Sequence, residues 1–217
     1  KPLRGSDLDL YYPTQVLSTA RDIINLWVAR MIFSGLEFTG KEPFRDVIIH
    51  ATILTKEGKR MSKSLGTGID PMDLVGRYGA DATRFGIMWQ AMGNQDIHWS
   101  EEHVVAGKKF ANKVWNASRF VLMNKPPRID AEKLNRGLTR KNLTATDRKI
   151  IALLAKTKKE VDKSIEKYEF GQALHKTYDF FWHEFCDKYL ETTKSQITNY
   201  KLQKTTSEIL FYVLIES

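Results

Sequence analysis

A loop at residues 58–71 holds the side chains of this sequence that are best suited to chemistry. Its sequence, GKRMSKSLGTGIDP, contains three cations and two serines among three glycines. Lysine and arginine neutralise phosphate charge, and glycines let backbone N–H groups turn toward an anion. Asp70 and Pro71 predict the start of a helix, whose N-terminal dipole end also favours anions. The loop therefore predicts a polyphosphate site, and the alternative interpretation is a solvated turn.

The elements before the loop have an α/β pattern. Residues 14–17 predict a short strand, and residues 22–34 predict a helix that stops at Gly35. The β-branched run at residues 47–51 predicts a second, buried strand. The loop comes after that strand, which is where open α/β folds bind their ligands.

Beyond the loop the sequence pattern is helical throughout. Two short helices are predicted before residue 100, the first closed by Gly79 and the second capped by Asp81. Four longer amphipathic helices follow, and they predict a bundle. Their predicted starts are Ser100, Thr144, Glu169 and Ser207, with a basic linker at residues 124–142 after the first.

The net charge of +8 is unevenly distributed. Residues 1–100 carry 12 Lys and Arg against 11 Asp and Glu, whereas residues 101–217 carry 22 against 15. The basic second half predicts either a nucleic-acid face or the solvated surface of lysine-rich helices. No apolar run reaches the roughly 20 residues that a membrane span needs. We therefore expect a soluble cytoplasmic protein without a membrane partner.

The single cysteine, Cys186, excludes an internal disulfide and a cysteine-based zinc site, and we predict no metal site. A P-loop nucleotidase is excluded because no Gly-x-x-x-x-Gly-Lys-Ser/Thr pattern occurs. The sequence starts without methionine and stops within an apolar run, so we expect a fragment.

The RMSKS pentapeptide at residues 60–64 resembles the Lys-Met-Ser-Lys-Ser loop of class I aminoacyl-tRNA synthetases. The family's downstream residues also follow it, with LG at 65–66, DP at 70–71 and YGADATRF at 78–85. Three further segments resemble the valine-specific branch of that class, and the isoleucine- and leucine-specific branches are alternatives. These segments are residues 22–31, 112–120 and 178–191.

The resemblance implies the fold class and the domains. Residues 1–99 are expected to be an α/β segment, the C-terminal part of a Rossmann-like catalytic domain with its loop and stem-contact helices. Residues 100–217 are expected to be an all-α helical bundle that binds the anticodon. The family's first signature, His-x-Gly-His, is absent, so we expect this polypeptide to lack amino-acid activation by itself.

The resemblance also implies a reaction and the roles of the loop residues. Valine is activated by ATP, accompanied by Mg²⁺, and is then transferred to a valine-specific tRNA. Lys63 is the expected catalytic residue, because a cation that meets the leaving pyrophosphate in the transition state raises the rate. Arg60 is expected to support the β- and γ-phosphates, Ser62 and Ser64 to offer hydroxyls, and Met61 to anchor the loop.

Four residues upstream of the loop complete the expected site. By resemblance, Asp22 places a carboxylate near the adenosine, although it also suits a helix cap. His50 is expected either to stack near the adenine or to be a satisfied core histidine. Ile23 and Trp27 are expected either to line the valine pocket or to be ordinary core.

In the bundle, Lys108, Lys113 and Arg119 are expected to contact tRNA phosphates. The aromatic residues are expected to be core; they are Trp115, Tyr178, Phe181, Trp182 and Phe185. We expect the fragment to be a monomer. The rival interpretation is a freestanding basic helical module that binds structured RNA and uses the glycine loop only as a turn.

Overall fold

The structure is a computed structural model that describes residues 5–62, 66–93, 95–124, 143–197 and 203–217. The chain packs as two compact units. Unit 1 contains Lys1–Gly68 and Ala91–Trp99, and unit 2 contains Ile69–Gln90 and Ser100–Ser217. Residues 69–90 therefore pack with the later helices, although they precede the domain boundary that we place near residue 100.

Unit 1 is an α/β unit built on two small parallel sheets. Strands β1 (Thr14–Ala20) and β2 (Phe44–His50) pair in parallel, from Thr14 opposite Phe44 to Ala20 opposite His50, so the connection between them crosses over through a helix. Strands β3 (Ile53–Leu54) and β4 (Ile97–His98) form the second parallel pair. The elements are α1 (Asp7–Tyr11), β1 (Thr14–Ala20), a 3₁₀ turn (Arg21–Ile23), a π-helical turn (Ile24–Val28), α2 (Ala29–Thr39), β2 (Phe44–His50), β3 (Ile53–Leu54) and β4 (Ile97–His98).

The helix after β1 differs from its prediction at both ends. It starts as a 3₁₀ turn followed by a π-helical turn, and it continues as α2 to Thr39. Gly40 ends α2 in the left-handed conformation, with a φ of 69° and its N–H donating to the Leu36 carbonyl. The predicted stop at Gly35 is wrong. Gly35 is buried inside α2, where a Cβ would lie 2.5 Å from the Tyr12 hydroxyl oxygen.

Unit 2 is helical. Its elements are α3 (Pro71–Tyr78), α4 (Ala80–Gln90), α5 (Glu102–Met123), α6 (Ala145–Glu166), α7 (Phe170–Asp179), a π-helical segment (Phe180–Leu190), α8 (Glu191–Ile197) and α9 (Gln203–Glu216). The third predicted bundle helix is thus one helical run from α7 through α8, with a π-helical segment inside it. Most of the predicted linker, residues 125–142, lies outside the described residues. The predicted fold class, an α/β segment followed by a helical bundle, is confirmed.

Of the four N-terminal helix caps predicted from Asp70 onward, two are confirmed. Asp70 caps α3 by accepting the Met72 N–H at 2.8 Å. Thr144 and Asp147 form a reciprocal capping box at α6. The caps at Asp81 and Ser100 are wrong, because Asp81 lies in the first turn of α4 and the N-cap residue of α5 is Glu101, without a side-chain cap bond.

The core of unit 2 lies between α5, α6, the π-helical segment and α9. Its most buried side chains include Val121, Leu154, Phe185, Tyr189, Ile209, Leu210 and Val213. The Tyr189 hydroxyl donates to Asp147 Oδ1 at 2.7 Å. Burial, and then this hydrogen bond, raise the pKa of Tyr189 well above its usual value. This pair satisfies a buried carboxylate inside an apolar core.

The aromatic core prediction holds for Phe181 and Phe185, which are buried, and fails for Trp115. The Trp115 side chain is 72% exposed. Helix α5 packs on the core through Ala117 and Val121, and Trp115 lies on a different side of the helix. Tyr178 and Trp182 are half-buried and stack on each other, with ring centroids 5.4 Å apart.

Helices α4 and α5 approach each other closely through two glycines. A Cβ on Gly86 would lie 2.7 Å from the Val104 nitrogen, and a Cβ on Gly107 would lie 2.8 Å from the Ala82 carbonyl oxygen. Real Cβ atoms do not tolerate such distances, and backbone atoms cannot step aside as a side chain can. The two helices can therefore pack at this distance only with glycine at both positions.

We expect Gly107→Ala to lower the free energy of unfolding by about 1–3 kcal/mol, because the added methyl forces α4 and α5 apart. Gly76→Ala in α3 is the matched control, since no atom of the described residues lies within 4 Å of a Cβ at that position. It should stabilise the chain by up to about 1 kcal/mol through helix propensity. Urea unfolding measures both values. A Gly107→Ala variant as stable as Gly76→Ala would contradict the close packing.

Candidate functional site

The loop begins in a tight turn that fixes the backbone of Arg60. The Thr55 N–H donates to the Lys59 carbonyl at 2.8 Å, and the Gly58 N–H donates to the Thr55 carbonyl at 3.0 Å. Gly58 has a φ of 77°, which favours glycine. Arg60 then forms an antiparallel bridge with Leu54 of β3. The first cation of the RMSKS pentapeptide is thus held on a strand edge.

Two hydrogen bonds connect Ser62 and Thr67 within the loop. The Ser62 N–H donates to Thr67 Oγ1 at 3.0 Å, and the Thr67 N–H donates to the Ser62 carbonyl at 3.2 Å. Lys63 and Ser64, the expected catalytic residue and its neighbour, lie outside the described residues. Their roles remain predictions, as do those of Ser62 and of the half-buried Met61.

Arg60 and Asp22 form an ion pair, with 3.0 Å between the guanidinium nitrogen Nη2 and Oδ2. Asp22 lies in the 3₁₀ turn after β1, whose N-cap residue is Ala20. The alternative role of Asp22 as a helix cap is therefore wrong. The structure brings together two residues that the sequence places 38 positions apart.

The other upstream residues lie at or next to the same edge of the β1–β2 sheet. Ala20 pairs with His50 at the carboxyl ends of two parallel strands, where α/β folds place their ligands. His50 is exposed, with Nδ1 3.2 Å from the Ala51 carbonyl oxygen, so it is not core within the described residues. Ile23 and Trp27 are 39% and 42% exposed, so neither is core within the described chain.

A second ion pair beside Asp22 was not predicted from the sequence. Arg21 contacts Asp96 at 3.3 Å, and Asp96 Oδ1 also accepts the Thr52 N–H at 3.3 Å. Residues 75 positions apart give no local sequence signal for such a contact. The turn after β1 is therefore bonded to segments next to both β3 and β4.

Two of the predicted tRNA-binding cations of unit 2, Lys113 and Lys108, lie close to aromatic rings. Lys113 donates to Asp187 Oδ1 at 2.7 Å, and its ammonium lies 5.0 Å from the centre of the Trp182 ring. This hydrogen bond raises the pKa of Lys113 and lowers the pKa of Asp187. Lys108 lies 5.8 Å from the centre of the Tyr78 ring.

An exposed face of α5 combines cations with an indole. Lys108, Trp115 and Arg119 are spaced by seven and four residues, which places them on one side of the helix, and all three are exposed. A groove of about 340 Å³ lies at the C-terminal half of this face, lined by Trp115, Ser118, Arg119, Leu122 and Met123. Exposed cations beside an aromatic ring suit nucleic acid, because the cations meet phosphates and the ring can stack on a base.

Within the described residues, no helix is long and apolar enough to cross a membrane. The same residues contain no group of three or more His, Cys, Asp or Glu side chains arranged to hold a metal ion.

Two protein families match the chain. The family of class I tRNA synthetases (I, L, M and V) matches residues 2–100, and the anticodon-binding domain of tRNA ligase matches residues 147–217. The chain belongs to the class I aminoacyl-tRNA synthetases that carry this anticodon-binding domain.

Several curated relatives of the chain are valine–tRNA ligases. The valine–tRNA ligase of Clostridium tetani is 44% identical over 215 residues, which is 98% of this chain and 24% of that protein. The valine–tRNA ligase of Bacillus subtilis is 43% identical over 212 residues, covering 97% of this chain and 24% of the relative. The chain thus spans about a quarter of the length of the curated relatives it matches.

Solved structures share the fold at low sequence identity. Mycobacterium tuberculosis methionyl-tRNA synthetase in complex with methionyl-adenylate superposes with a TM-score of 0.71 at 19% identity, over 97% of this chain and 41% of that one. A LeuRS–tRNA–LeuAMS complex from Agrobacterium radiobacter superposes with a TM-score of 0.65 at 17% identity, over 94% of this chain and 24% of that one.

We expect Gly58→Ala to destabilise the turn before Arg60 more than Gly40→Ala destabilises the end of α2. Both positions have positive φ, which costs an L-residue about 1–2 kcal/mol. Only at Gly58 does a Cβ also meet a neighbour, at 3.0 Å from His98 Cε1. Urea unfolding measures the free energies. In the His98→Ala background, Gly58→Ala should lower the free energy of unfolding no more than Gly40→Ala does. Equal losses of unfolding free energy for Gly58→Ala and Gly40→Ala in the wild-type background would contradict the contact with His98.

Proposed function

We propose that these residues are the segment of a valine–tRNA ligase that carries the ATP-site loop and the helices to which tRNA binds. One observation carries the proposal. Valine–tRNA ligases match 96–98% of this chain at 43–46% identity, through the RMSKS loop and the bundle. A cytoplasmic location, a monomeric state and specificity for a valine tRNA belong to the same proposal.

The proposed chemistry of the loop is phosphate recognition during activation. ATP, with Mg²⁺ on its phosphates, supplies the leaving pyrophosphate when the valine carboxylate attacks the α-phosphorus to give valyl-adenylate. Lys63 neutralises the charge that builds up on that pyrophosphate, and Arg60 contacts its phosphates. Ser62 and Ser64 contribute hydroxyls, and Met61 anchors the loop. The Ser62–Thr67 bonds support this proposal because they fix the backbone on both sides of the expected phosphate-binding residues in the sequence.

The proposed amino-acid pocket uses Ile23 and Trp27, next to a nucleotide site that includes Asp22 and His50. The partial exposure of the first two side chains supports this role, because the exposed part of an apolar side chain is available to an aliphatic ligand. An apolar pocket distinguishes valine from isoleucine by only about 1–3 kcal/mol. The isoleucine- and leucine-specific alternatives are therefore tested by measuring which amino acid supports ATP–pyrophosphate exchange, because the fold does not distinguish them.

The proposed tRNA surface is the exposed face of α5 with Lys108, Trp115 and Arg119. These side chains are exposed, and the helical half of the chain carries most of the net positive charge. A phosphate contact by Lys113 remains part of the proposal, although its ammonium already bonds to Asp187. The rival function, a freestanding RNA-binding module, shares this surface but needs no specificity for the anticodon.

We expect Lys63→Ala in the full-length ligase to lower the rate of valine-dependent ATP–pyrophosphate exchange by about 10²–10³-fold, mainly through kcat, because it removes a charged donor to the transition state. Lys59→Ala is the matched control, since it removes an exposed lysine from the same loop. Its rate should stay within a few-fold of the wild type. An unchanged rate for Lys63→Ala would remove Lys63 from the mechanism, and exchange that depends on isoleucine or leucine would exclude the valine assignment.

We expect Arg119→Ala to weaken the binding of valine tRNA and to reduce the slope of log K against log salt by about 0.7–0.9, the loss of one phosphate contact. Lys113→Ala should change the slope less and the stability more, because Lys113 is paired with Asp187. Lys167→Ala, which removes an exposed lysine after α6, is the control. Fluorescence titration of the chain measures the affinities. An effect of Lys167→Ala equal to that of Arg119→Ala would contradict the α5 surface, and indifference to an anticodon-changed tRNA would favour the rival module.

A further inference from the structure

Arg60 is held at its backbone and at its guanidinium by different partners. The bridge to Leu54 fixes the backbone, and Asp22 Oδ2 accepts from the guanidinium at 3.0 Å. The Arg60 and Asp22 side chains are 76% and 53% exposed. An exposed ion pair of this kind contributes little net free energy, so another anion can replace one partner at small cost.

The Asp22 carboxylate is itself held in place by its neighbour in the chain. Arg21 contacts Asp96, and Asp96 also accepts the Thr52 N–H just before β3. The 3₁₀ turn therefore makes two ion pairs of opposite polarity from consecutive residues, one with Asp96 just before β4 and one with Arg60, which bridges to β3. This arrangement fixes where Asp22 meets Arg60.

We propose that Asp22 is a positioning residue that acts through Arg60: it holds the Arg60 guanidinium while no phosphate is bound, and it gives up that guanidinium to phosphate oxygens when a polyphosphate arrives. The inference rests on the proposed role of the loop as a phosphate site. A guanidinium presents the same two-pronged geometry to a carboxylate and to a phosphate, so one group can exchange with the other. A polyphosphate carries several negative charges against one on Asp22, so it wins the exchange.

In the proposed exchange, Asp22 competes with the phosphates for the Arg60 guanidinium. A contact between Asp22 and adenosine would not produce this competition. Inorganic tripolyphosphate separates these two roles because it contains no nucleoside. If Asp22 acted only on adenosine, its substitution would leave tripolyphosphate affinity unchanged. If Asp22 acted only by general charge repulsion, its substitution would strengthen binding equally with and without Arg60.

The test is a double-mutant cycle on the 217-residue chain, with tripolyphosphate affinity measured by calorimetry at low salt. We expect Arg60→Gln to weaken binding. Asp22→Asn should strengthen tripolyphosphate binding more in the wild-type chain than in the Arg60→Gln background. The two gains should differ by a factor of about three, the size expected for an exposed ion pair. Asp22→Glu, which keeps the carboxylate, should restore the wild-type affinity.

Glu42→Gln is the matched charge control, because it removes one negative charge from an exposed carboxylate that belongs to neither ion pair of the 3₁₀ turn. Its effect should be the same in the wild-type chain and in the Arg60→Gln background. Equal effects of Asp22→Asn in both backgrounds would overturn the exchange and leave the loop as a phosphate site. Absence of tripolyphosphate binding by the wild-type chain would overturn both the exchange and the proposed function of the loop.

Discussion

The packing of unit 2 depends on the close approach of α4 and α5 through Gly86 and Gly107. Because these two positions carry no Cβ, the rings beside them reach the other helices of the unit. Phe85 of α4 stacks on Trp89 and contacts Phe110 of α5, with ring centroids 5.3 Å apart in each case. Trp89 also stacks on His175 of α7, at 3.6 Å between centroids. The glycine contact thus allows one aromatic cluster to join three helices.

The boundary between the two structural units differs from the end of the match to the synthetase family. The match to the class I synthetase family extends to residue 100, yet residues 69–90 pack with the later helices. Helix α3 starts shortly after Thr67, which closes the loop, and it belongs to the same unit as α5. The chain therefore passes from the RMSKS loop into the helical unit within a few residues.

Local sequence signals predicted the parts of the structure that depend on neighbouring residues. The cap at Asp70 and the capping box at Thr144 each need only contacts within a single helical turn, and both are as predicted. The loop was recognised because its chemistry lies in consecutive residues. The predicted end of α2 is wrong because Gly35 serves a contact with Tyr12, which is distant in sequence. The core prediction for Trp115 fails because periodicity alone does not show which of two adjacent sides of α5 is covered.

The contacts that define the candidate site are long-range, and the sequence carried no signal for them. Asp22 and Arg60 were each predicted to contact the nucleotide, and nothing in their spacing indicated that they contact each other. Charge complementarity would have allowed many such pairs among 34 basic and 26 acidic residues. Only the placement of the turn after β1 beside the β3–β4 pair selects this one.

A chimaera tests the central claim, that this chain is the loop-and-bundle segment of a valine–tRNA ligase, most directly. The homologous segment of the Bacillus subtilis valine–tRNA ligase, which is 43% identical, would be replaced by these 217 residues. Attachment of valine to valine tRNA would then be measured alongside the same chimaera carrying Lys63→Ala. The account predicts valine attachment by the chimaera and a loss of about 10²-fold or more with Lys63→Ala. A folded chimaera that attaches no valine, or one that is indifferent to Lys63→Ala, would contradict it.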